Sequence, residues 1–355
     1  MAVPICRLDA DLKSIIDAGF DTVIDVRSPA EFLDDHVPGA INLPVLDNAQ
    51  RAKIGTLYNQ VNPFTAKRTG AALVARNIAH HLETTLNEMP RTWRPLVYCW
   101  RGGQRSGAMA KVFSDIGWQA SVIEGGYKAY RRAVLDILNN IPSKLRLIVI
   151  AGKTGTAKTR ILRAAGVKGM QIIDLEGLAN HRGSLFGREP GSPQPSQRLF
   201  ESRLARALLE LSGDRSVFIE AESNKIGEIH VPPALWAQMR SAKRITVEAP
   251  LTARINFLME DYDHIISDQI DVAELLSGLK TRHSAELFDY WKNNIKTKNW
   301  ETFVESLLTH HYDPSYSRSS ASRASAEIKK LHVNSLDARA IDNLVRQLML
   351  FDVCT

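Results

Sequence analysis

One segment near the middle of the chain restricts the fold more than any other: the apolar run 147–151 leads directly into GKTGTAKT at 152–159. Such a run is typical of a buried strand, and the turn residues after it lead into a helical pattern. Other apolar runs bounded by turn residues lie at 22–26, 96–98, 121–123, 171–175, 216–220 and 244–247. This alternation of strands and helices predicts an α/β fold with mostly parallel sheets.

The number of domains follows from the length and from one break in the pattern. The chain has 355 residues, which at roughly 100–200 residues per domain suggests two domains. The sequence NNIPS at 139–143 interrupts the alternation, so we predict domains at 1–140 and 141–355, the second with a helical C-terminal region. With 44% hydrophobic and 24% charged residues, a wholly disordered chain, a fibre and a membrane bundle are excluded.

The cysteine content and the polarity of the chain predict its location. Cys6, Cys99 and Cys354 are too few for a disulfide framework, which favours a reducing cytosol. No apolar run is long enough to span a bilayer, and residues 1–7 lack a signal pattern. We therefore expect a cytoplasmic protein without a membrane partner. The net charge of +6 is compatible with an anionic partner but does not identify it.

The first half carries its clearest chemical signal at Cys99, which ends an apolar run and is followed by WRGGQRS. A glycine-rich turn that leads into a helix points backbone N–H groups at the sulfur and stabilises a thiolate or an anionic adduct. Arg101 and Arg105 are expected to lower the thiol pKa further. The alternative is a small hydrophobic cysteine at a strand end; the glycines and arginines favour a nucleophile. The predicted catalytic residues are Cys99, Arg101 and Arg105.

The segment at 152–159 matches the P-loop pattern G-x-x-x-x-G-K-[ST] except that Ala157 replaces the last glycine. In this pattern the loop amides wrap a phosphate, the lysine neutralises it and the hydroxyl holds Mg²⁺. The alternative interpretation is an ordinary glycine-containing turn that is followed by Lys-Thr by chance. The strand that precedes the turn favours a phosphate site instead. The predicted phosphate- or diphosphate-binding residues are Gly152, Thr154, Gly155, Lys158 and Thr159.

Polar residues follow two other predicted strands, at the sheet edge where α/β folds bind ligands. The candidates for a polar site or for Mg²⁺ are Asp174, Glu176, His181 and Arg182 after one strand, and Glu220 or Glu222 after the other. Solvated loop acids are the alternative for the last two glutamates. His181 has no second Cys or His at ligand spacing, so no metal site is assigned beyond an optional Mg²⁺.

Three further segments of the first half resemble the rhodanese family and surround Cys99 in that family's order. They are DVRSPAEF at 25–32, HVPGAINLP at 36–44 and EGGYKAY at 124–130. The resemblance implies a rhodanese-like parallel-sheet domain that carries sulfur or selenium on Cys99. The C-x5-R spacing to Arg105 is one residue longer than in most sulfurtransferases and equals that of related cell-cycle phosphatases. Against a phosphatase, Tyr98 stands where those enzymes usually have His.

The order of the two domains, with matching segments along nearly the whole chain, resembles the tRNA 2-selenouridine synthase family. The segments are 174–187, 194–197, 200–201, 220–227, 260–262 and 311–316. In that family the cysteine loop reads CxRGGxRS, as it does here. The resemblance implies a P-loop NTPase-like second domain and the conversion of wobble 2-thiouridine in tRNA to 2-selenouridine.

The same resemblance implies co-substrates and residue roles. The thiouridine is S-geranylated with geranyl diphosphate, and selenium from selenophosphate then replaces the geranylthio group. Cys99 would accept selenium as a perselenide, Arg101 and Arg105 would hold the phosphate, and the P-loop would hold the diphosphate. No tightly bound cofactor is expected and Mg²⁺ is left open. The macromolecular partner is the tRNA anticodon stem-loop with 2-thiouridine.

Two segments are candidates for the tRNA surface. Residues 280–298 carry five Lys or Arg and two acidic residues, interleaved with Phe288, Tyr290 and Trp291, which suits an anticodon loop. An amphipathic helix with its aromatic residues in the core explains the same pattern equally well. The Ser/Arg-rich segment 315–326, expected to be mobile, is the other candidate.

Two other functions stay open at the level of sequence. The C-x5-R loop and the P-loop are compatible with a cysteine-based phosphatase fused to a kinase-like domain, which would release phosphate from an aryl phosphate. The other is a nucleotide-gated tRNA-binding protein with an inert rhodanese fold. A reactive Cys99 with a low pKa would argue against this second alternative, because an inert rhodanese fold does not need an activated thiol.

Overall fold

A computed structural model of the chain describes residues 3–184, 186–187, 189, 191–221, 223–263, 272, 276–321 and 326–352. These residues form two compact units, each built around its own parallel sheet. The first unit comprises Met1–Leu138 and Pro195–Leu209, and the second comprises Asn139–Gln194 and Glu210–Thr355. The two sheets confirm the predicted α/β fold class, while the predicted domain boundaries stay a prediction.

The sheet of the first unit has the strand order β1-β5-β4-β2-β3, with every neighbouring pair parallel. Its strands are β1 (Cys6–Leu8), β2 (Thr22–Asp25), β3 (Ile41–Asn42), β4 (Pro95–Tyr98) and β5 (Ser121–Ile123). Strand β4 lies in the middle and all four of its residues are buried, which explains its uninterrupted apolar sequence. The residue after β4 therefore emerges at the central carboxyl edge of the sheet, where α/β proteins form their sites.

Helices that follow the strands pack on this sheet. They are α1 (Leu12–Asp17), α2 (Pro29–Asp34), α3 (Asn48–Gln60), α4 (Pro63–Glu83), α5 (Gln104–Ile116) and α6 (Gly126–Asn140). Helix α5 confirms the helix predicted after Cys99, and it ends at Gly117, which adopts a left-handed conformation with φ +107°. Its buried face, which includes Met109 and Phe113, completes the core between the helix and the sheet.

The sheet of the second unit has the order β12-β11-β6-β8-β7, again with parallel neighbours. The strands from here on are β6 (Arg146–Ala151), β7 (Gln171–Ile173), β8 (Ser216–Glu220), the hairpin pair β9 (Lys225–Ile226) and β10 (Ile229–His230), β11 (Lys243–Glu248) and β12 (Glu327–His332). Strand β6 is central and five of its six residues are buried. The loop that follows β6 therefore lies at the middle of the carboxyl edge.

The remaining helices belong mostly to the second unit. They are α7 (Lys158–Val167), α8 (Leu175–Ala179), α9 (Gln197–Leu209), α10 (Pro233–Ser241), α11 (Leu251–Asp261), α12 (Ala285–Lys296), α13 (Trp300–Leu307), α14 (Asp313–Ala321) and α15 (Ala338–Met349). A π-helical turn, Leu308–Tyr312, joins α13 to α14. Segment 315–326 is helical as far as Ala321, and its expected mobility stays a prediction. No helix of the described residues is long and apolar enough to cross a membrane.

Helix α9 belongs to the first unit although it comes after the strands β6 and β7 in the sequence. Arg198 forms an ion pair with Asp34 at 2.8 Å, and Arg206 donates to the carbonyl oxygen of Pro38 at 3.2 Å. Its buried residues, among them Phe200 and Leu204, add to the apolar interior. The Gly- and Pro-rich stretch before α9 carries the chain from one unit to the other.

Candidate functional site

Cys99 lies directly after β4, and only 3% of the residue is exposed. The following loop turns over it before α5 begins at Gln104. Ser106, in the first turn of α5, directs its hydroxyl to Cys99 Sγ at 3.2 Å. The sulfur therefore lies between the end of a buried strand and the N-terminus of a helix, where backbone N–H groups favour an anion.

Opposing effects set the pKa of Cys99. Burial raises it, because a buried thiolate loses its hydration. Hydrogen bonds from the Ser106 hydroxyl and from the backbone N–H groups of Ser106 and Arg101, together with the charge of Arg105, lower it. The net result is a pKa below the ordinary value for cysteine. Because the thiolate is the reactive form, this environment activates Cys99 as a nucleophile.

The two predicted arginines of the loop act in different ways. Arg105 is held beside the loop by Glu31, whose Oε2 accepts its guanidinium at 3.1 Å. Although burial alone raises the pKa of Glu31, the nearby Arg105 and Arg51 bring it below its usual range, so the carboxylate stays ionised. The side chain of Arg101 is exposed, and Arg101 acts on the sulfur through its backbone N–H.

Two glycines that pack against each other fix the shape of the loop. Gly102 has φ +63°, and a Cβ on it would lie 2.6 Å from the carbonyl oxygen of Ile123. Gly126 has φ +58°, and a Cβ there would overlap the carbonyl oxygen of Cys99. The close approach lets Tyr127 N–H donate to that oxygen at 2.8 Å. The segment EGG therefore buttresses the cysteine loop, and larger residues would displace it.

A buried ion pair extends this support. Asp25 and Arg27 are both at most 1% exposed and pair at 2.6 Å. The guanidinium of Arg27 lies 3.9 Å from the centre of the Tyr127 ring, and the Tyr127 hydroxyl donates to Asp35 at 2.8 Å. Burial raises the pKa of Asp35 to about 6. These residues form the frame that holds Tyr127 against the cysteine loop.

In the second unit, residues 152–157 connect β6 to α7 in the strand–loop–helix order of a P-loop. Gly152 allows close packing, because a Cβ there would lie 2.7 Å from the carbonyl oxygen of Val247. Ala157 adopts φ +58° and ψ +28°, the left-handed region that glycine normally fills. Its methyl group is buried in the core, so the loop keeps its turn at a conformational cost of about 1 kcal/mol.

A chain of hydrogen bonds runs from the P-loop helix to the end of β8. Thr159 Oγ1 donates to Glu176 Oε2 at 2.7 Å, and the backbone N–H of Glu176 donates to Glu220 Oε1 at 2.8 Å. Glu220 is fully buried, so its role is to position Glu176. A hydroxyl and a carboxylate are suitable ligands for Mg²⁺, so Thr159 and Glu176 fit that ion.

No cluster of three or more His, Cys, Asp or Glu side chains suited to a metal occurs within the described parts of the chain. Mg²⁺ bound at Thr159 and Glu176 would therefore take its other ligands from phosphate oxygens and water, which is how proteins usually hold this ion. When bound, the ion would supply positive charge to a diphosphate.

Two of the predicted acidic residues do not join this hydrogen-bonded chain. Asp174 caps α8 by accepting from Gly177 N–H at 2.7 Å, and it forms an ion pair with Arg163 at 2.5 Å. These contacts give Asp174 a structural role at the end of the helix. Glu222 lies outside the described residues.

His181 and Arg182 line the same cleft as the P-loop. His181 is buried, and its Nδ1 accepts the backbone N–H of Gly183 at 3.1 Å. Arg182 pairs with Glu189 at 2.8 Å and with Asp261 at 2.9 Å. Its guanidinium is therefore held in place beside the cleft, and the two carboxylates offset its charge.

A second ion-pair system braces the P-loop from elsewhere in the sequence. Arg254, which is 2% exposed, donates through Nε to the carbonyl oxygen of Thr154 at 2.8 Å. Asp313 binds both terminal nitrogens of Arg254, at 2.7 and 3.0 Å, and Lys153 at 3.0 Å. Burial raises the pKa of Asp313, but these cations bring it below its ordinary value, so the carboxylate stays charged.

The cleft at the P-loop has a volume of about 950 Å³. It brings together all of the predicted phosphate-binding residues, namely Gly152, Thr154, Gly155, Lys158 and Thr159. Glu176, His181 and Arg182 also line it, as do Arg160 and Arg163. Glu189 and Asp261 also line the cleft and pair with Arg182. The features that suit a phosphate or diphosphate ligand are therefore the loop amides, Lys158 and the N-terminus of α7.

Comparisons with known proteins give both units a counterpart. A family model described as a rhodanese-like domain matches residues 8–133, and one described as the tRNA 2-selenouridine synthase AAA domain matches residues 145–287. A crystal structure of a rhodanese-related protein from Thermoplasma volcanium is 22% identical over 36% of this chain and 91% of that chain, with a TM-score of 0.24.

Relatives that match most of the chain decide the family. A tRNA 2-selenouridine synthase from Nitrosomonas europaea is 31% identical, over 83% of this chain and 88% of that protein. One from Nitrosomonas eutropha is 34% identical, over 87% of this chain and 91% of that protein. The chain belongs to the tRNA 2-selenouridine synthase family. Its two units therefore combine a rhodanese-like domain with the P-loop domain found in that family.

The fold of this family member corrects one of the predicted tRNA surfaces. In segment 280–298, Phe288 is 4% exposed and Trp291 is fully buried, and both belong to the core around α12 and α13. Two buried rings offer no face on which a base could stack. The alternative of core aromatic residues is therefore correct for these two, and Tyr290 is the exposed aromatic residue of the segment.

Three residues that support the candidate sites were not predicted from the sequence. Ser106 contacts the sulfur of Cys99, and its place as the last residue of the cysteine-loop motif was the sequence signal that could have identified it. Asp313 lies in the segment HYDPSY, which resembles the family but had no assigned role. Arg254 lies in α11 and carries no recognisable motif, because its partners are distant in the sequence.

Proposed function

We propose that this enzyme converts wobble 2-thiouridine in the tRNA anticodon stem-loop to 2-selenouridine, by S-geranylation and then replacement of the geranylthio group with selenium from selenophosphate. Membership of the family supports a tRNA-modifying enzyme that forms selenouridine. The observation that carries the two-step proposal is that one chain contains both a Cys99 thiol of lowered pKa and a cleft lined by the P-loop. The two sites suit two different phosphorus-containing co-substrates.

The first step uses the P-loop cleft. The sulfur of 2-thiouridine attacks C1 of geranyl diphosphate, so that a C–S bond forms, a C–O bond breaks and inorganic diphosphate leaves with the bonding electrons. The N3 proton of the uridine is released to water or to the leaving diphosphate. Negative charge on the leaving diphosphate grows as the C–O bond breaks. The loop amides and Lys158 stabilise that charge. If Mg²⁺ were bound, Thr159 and Glu176 would hold it and it would supply further positive charge.

The second step uses Cys99 at the phosphorus atom of selenophosphate. The thiolate attacks phosphorus, an S–P bond forms, the Se–P bond breaks and selenide leaves. Selenide then attacks C2 of the S-geranylated uridine and expels geranylthiolate, while water hydrolyses the phosphocysteine. The loop amides and Arg105 hold the phosphoryl group, for which the C-x5-R loop is suited.

In this mechanism Cys99 carries a phosphoryl group and not the perselenide that the rhodanese resemblance implies. We prefer phosphoryl transfer because perselenide formation from selenophosphate does not balance in electrons. Selenium in selenophosphate is already at the oxidation level of selenide. An S–Se bond on Cys99 would therefore require an added oxidant, and none takes part in the reaction. Transfer of the phosphoryl group to Cys99 needs no oxidant, since phosphorus and selenium keep their oxidation states throughout.

The proposal is tested by incubating thiolated tRNA with geranyl diphosphate and phosphorus-labelled selenophosphate and analysing the nucleosides by mass spectrometry. Cys99→Ser is expected to abolish selenouridine and to accumulate the geranylated nucleoside, because only the second step needs the thiol. Cys6→Ser is the matched control, since Cys6 is an exposed free cysteine. In the wild-type protein, rapid acid quenching should trap the phosphorus label on Cys99.

Each part of the proposal can fail separately. Selenouridine formed at the normal rate by Cys99→Ser would exclude Cys99 from the reaction. Trapped selenium on Cys99 without the phosphorus label would restore the perselenide route. If the wild-type protein forms no geranylated nucleoside from geranyl diphosphate, the two-step function is wrong.

A further inference from the structure

Two histidines of the second unit contact each other although they are distant in the sequence. His283 precedes α12 and His311 lies in the π-helical turn, and their Nε2 and Nδ1 atoms are 3.0 Å apart. The His283 ring packs edge to face on the buried Trp291 ring at 4.9 Å, and the His311 ring packs on Tyr312 at the same distance. The pair is therefore fixed on the core of the unit, while both rings stay partly exposed.

The contact between the two rings determines which hydrogen-bonding groups they can offer to a ligand. One ring donates its N–H to the other, and the ring that accepts then carries its own proton on its outer nitrogen. Neither outer nitrogen, Nδ1 of His283 or Nε2 of His311, has a partner among the described residues. The neutral pair therefore has one N–H that is free to bind an acceptor oxygen.

Arginines on two sides add positive charge to the histidine pair. Arg282 precedes His283 in the sequence, and Arg318 lies in α14. Both arginines are exposed, and neither forms an ion pair with a carboxylate of the described residues. Burial and the charges of His283 and of both arginines lower the pKa of His311 to about 4. We call this group of side chains the basic surface: Arg282, His283, His311 and Arg318.

The basic surface adjoins the P-loop cleft. Tyr312, Ser315 and Tyr316 lie between His311 and Arg318 in the chain, and all three line the cleft. The π-helical turn and α14 therefore carry residues of the cleft and residues of the basic surface on one short stretch. A polyanion bound along the basic surface would lie beside the cleft.

We propose that the basic surface binds the phosphodiester backbone of the tRNA anticodon stem-loop beside the P-loop cleft, an inference that rests on the proposed function. Two arginines without carboxylate partners and a histidine N–H match the charge and the acceptor oxygens of phosphates. The position favours RNA over an acidic protein, because the wobble uridine has to reach the P-loop cleft in the proposed first step. Segment 280–298 thus contributes Arg282 and His283 to the RNA contact, and its buried Trp291 ring supports them.

The test measures binding of a labelled anticodon stem-loop to the full chain at several salt concentrations. Arg282→Gln/Arg318→Gln should weaken binding by about tenfold and reduce the slope of log affinity against log salt by about 1 to 2, because phosphate contacts are lost. The matched control is Arg240→Gln/Lys243→Gln. These two cations are exposed, lack carboxylate partners among the described residues and lie at the amino end of β11, opposite the carboxyl edge with the cleft. The control should bind RNA almost as the wild-type protein does.

A second variant tests the histidines separately from the charge. His283→Phe/His311→Phe keeps two rings and removes the N–H that would bind a phosphate oxygen. We expect binding to weaken by about threefold with little change in the salt slope, because one neutral hydrogen bond is lost and no charge is removed. Binding of inorganic diphosphate reports whether the P-loop is intact in each variant, and thermal unfolding checks that each protein is folded.

Two results would overturn the inference. One is a folded Arg282→Gln/Arg318→Gln protein that keeps the wild-type affinity and salt slope. The other is a loss of affinity for polyglutamate in that variant with unchanged affinity for RNA, which would mean that the surface fits an acidic protein. Because binding is measured without geranyl diphosphate or selenophosphate, neither result depends on turnover. A wild-type protein that binds the stem-loop through this surface and forms no geranylated nucleoside would instead contradict the proposed function alone.

Discussion

The lowered pKa of Cys99 depends on a neighbouring side chain, the Ser106 hydroxyl. The Cys99 sulfur is almost completely buried, and burial on its own raises the pKa of a thiol. The Ser106 hydroxyl and backbone N–H offset that effect from the first turn of α5, and Arg105 adds positive charge. The motif predicted the cysteine and the arginines. It could not predict Ser106, because the direction of a hydroxyl depends on where the helix begins.

Replacing Ser106 by alanine tests this account. The hydroxyl donates a hydrogen bond to the thiolate, so its loss is expected to raise the pKa of Cys99. Below that pKa the rate of alkylation by iodoacetamide follows the thiolate fraction, and it should fall by roughly tenfold at a given pH, as expected for the loss of one hydrogen bond to a charged group. The pH profile of alkylation should therefore shift to higher pH.

Ser114→Ala is the control for that experiment, because Ser114 is buried in the same helix and bonds instead to the carbonyl oxygen of Val3. Ser114→Ala should leave the pH profile of Cys99 alkylation unchanged. If Ser106→Ala also leaves it in place, the backbone N–H groups and Arg105 alone account for the acidity of Cys99.

At the scale of elements, the sequence predicted what local patterns determine. The strands around β4 and β6 are confirmed because their apolar runs are bounded by turn residues, and α5 because it follows a glycine turn. The sequence did not decide whether Trp291 is buried, because a core-facing amphipathic helix and a base-stacking surface both place aromatic residues between basic ones. The brace between α11 and α14 was missed, because Arg254 and Asp313 meet only in the folded chain.

The brace gives a prediction at this scale. In Asp313→Asn, the guanidinium of Arg254 keeps its bond to the P-loop carbonyl and loses its carboxylate, although its side chain is only 3% exposed. We expect a local loss of stability of about 2 kcal/mol, because a buried charge is left without its counter-ion. Hydrogen exchange of the amides of the P-loop should become roughly thirtyfold faster.

Asp342→Asn provides the comparison, since Asp342 also binds two cations, Lys168 and Arg346, but at the surface. Surface ion pairs contribute little, so exchange in α15 should change far less. Equal effects of the two substitutions would mean that the brace does not depend on the burial of Arg254.

At the scale of the whole molecule, the two candidate sites fall in different compact units. The first unit contains the Cys99 thiol of lowered pKa, and the second contains the cleft lined by the P-loop. The place of each candidate site could be predicted because each follows a central strand and its motif is continuous in the sequence, while the roles of its residues stay predictions. The apolar pocket lined by Leu258, Phe303 and Val304 could not be predicted, because its walls come from α11, α13 and a loop that no motif connects.

If the two sites catalyse successive reactions, variants with defects in different units should complement each other. Lys158→Ala is expected to block geranylation, because the lysine of the P-loop neutralises the diphosphate, and Cys99→Ser to block entry of selenium. Neither protein alone should form selenouridine. A mixture of the two should form it from thiolated tRNA, since geranylated tRNA is a covalent product that can leave one molecule and bind another.

The control is the reaction of Lys158→Ala with tRNA that already carries the geranyl group, which should give selenouridine without geranyl diphosphate. If this control succeeds and the mixture still forms none, the geranylated tRNA does not leave the enzyme between the steps. The two units would then have to act on one bound tRNA, and the single chain that joins them would be a requirement of the reaction.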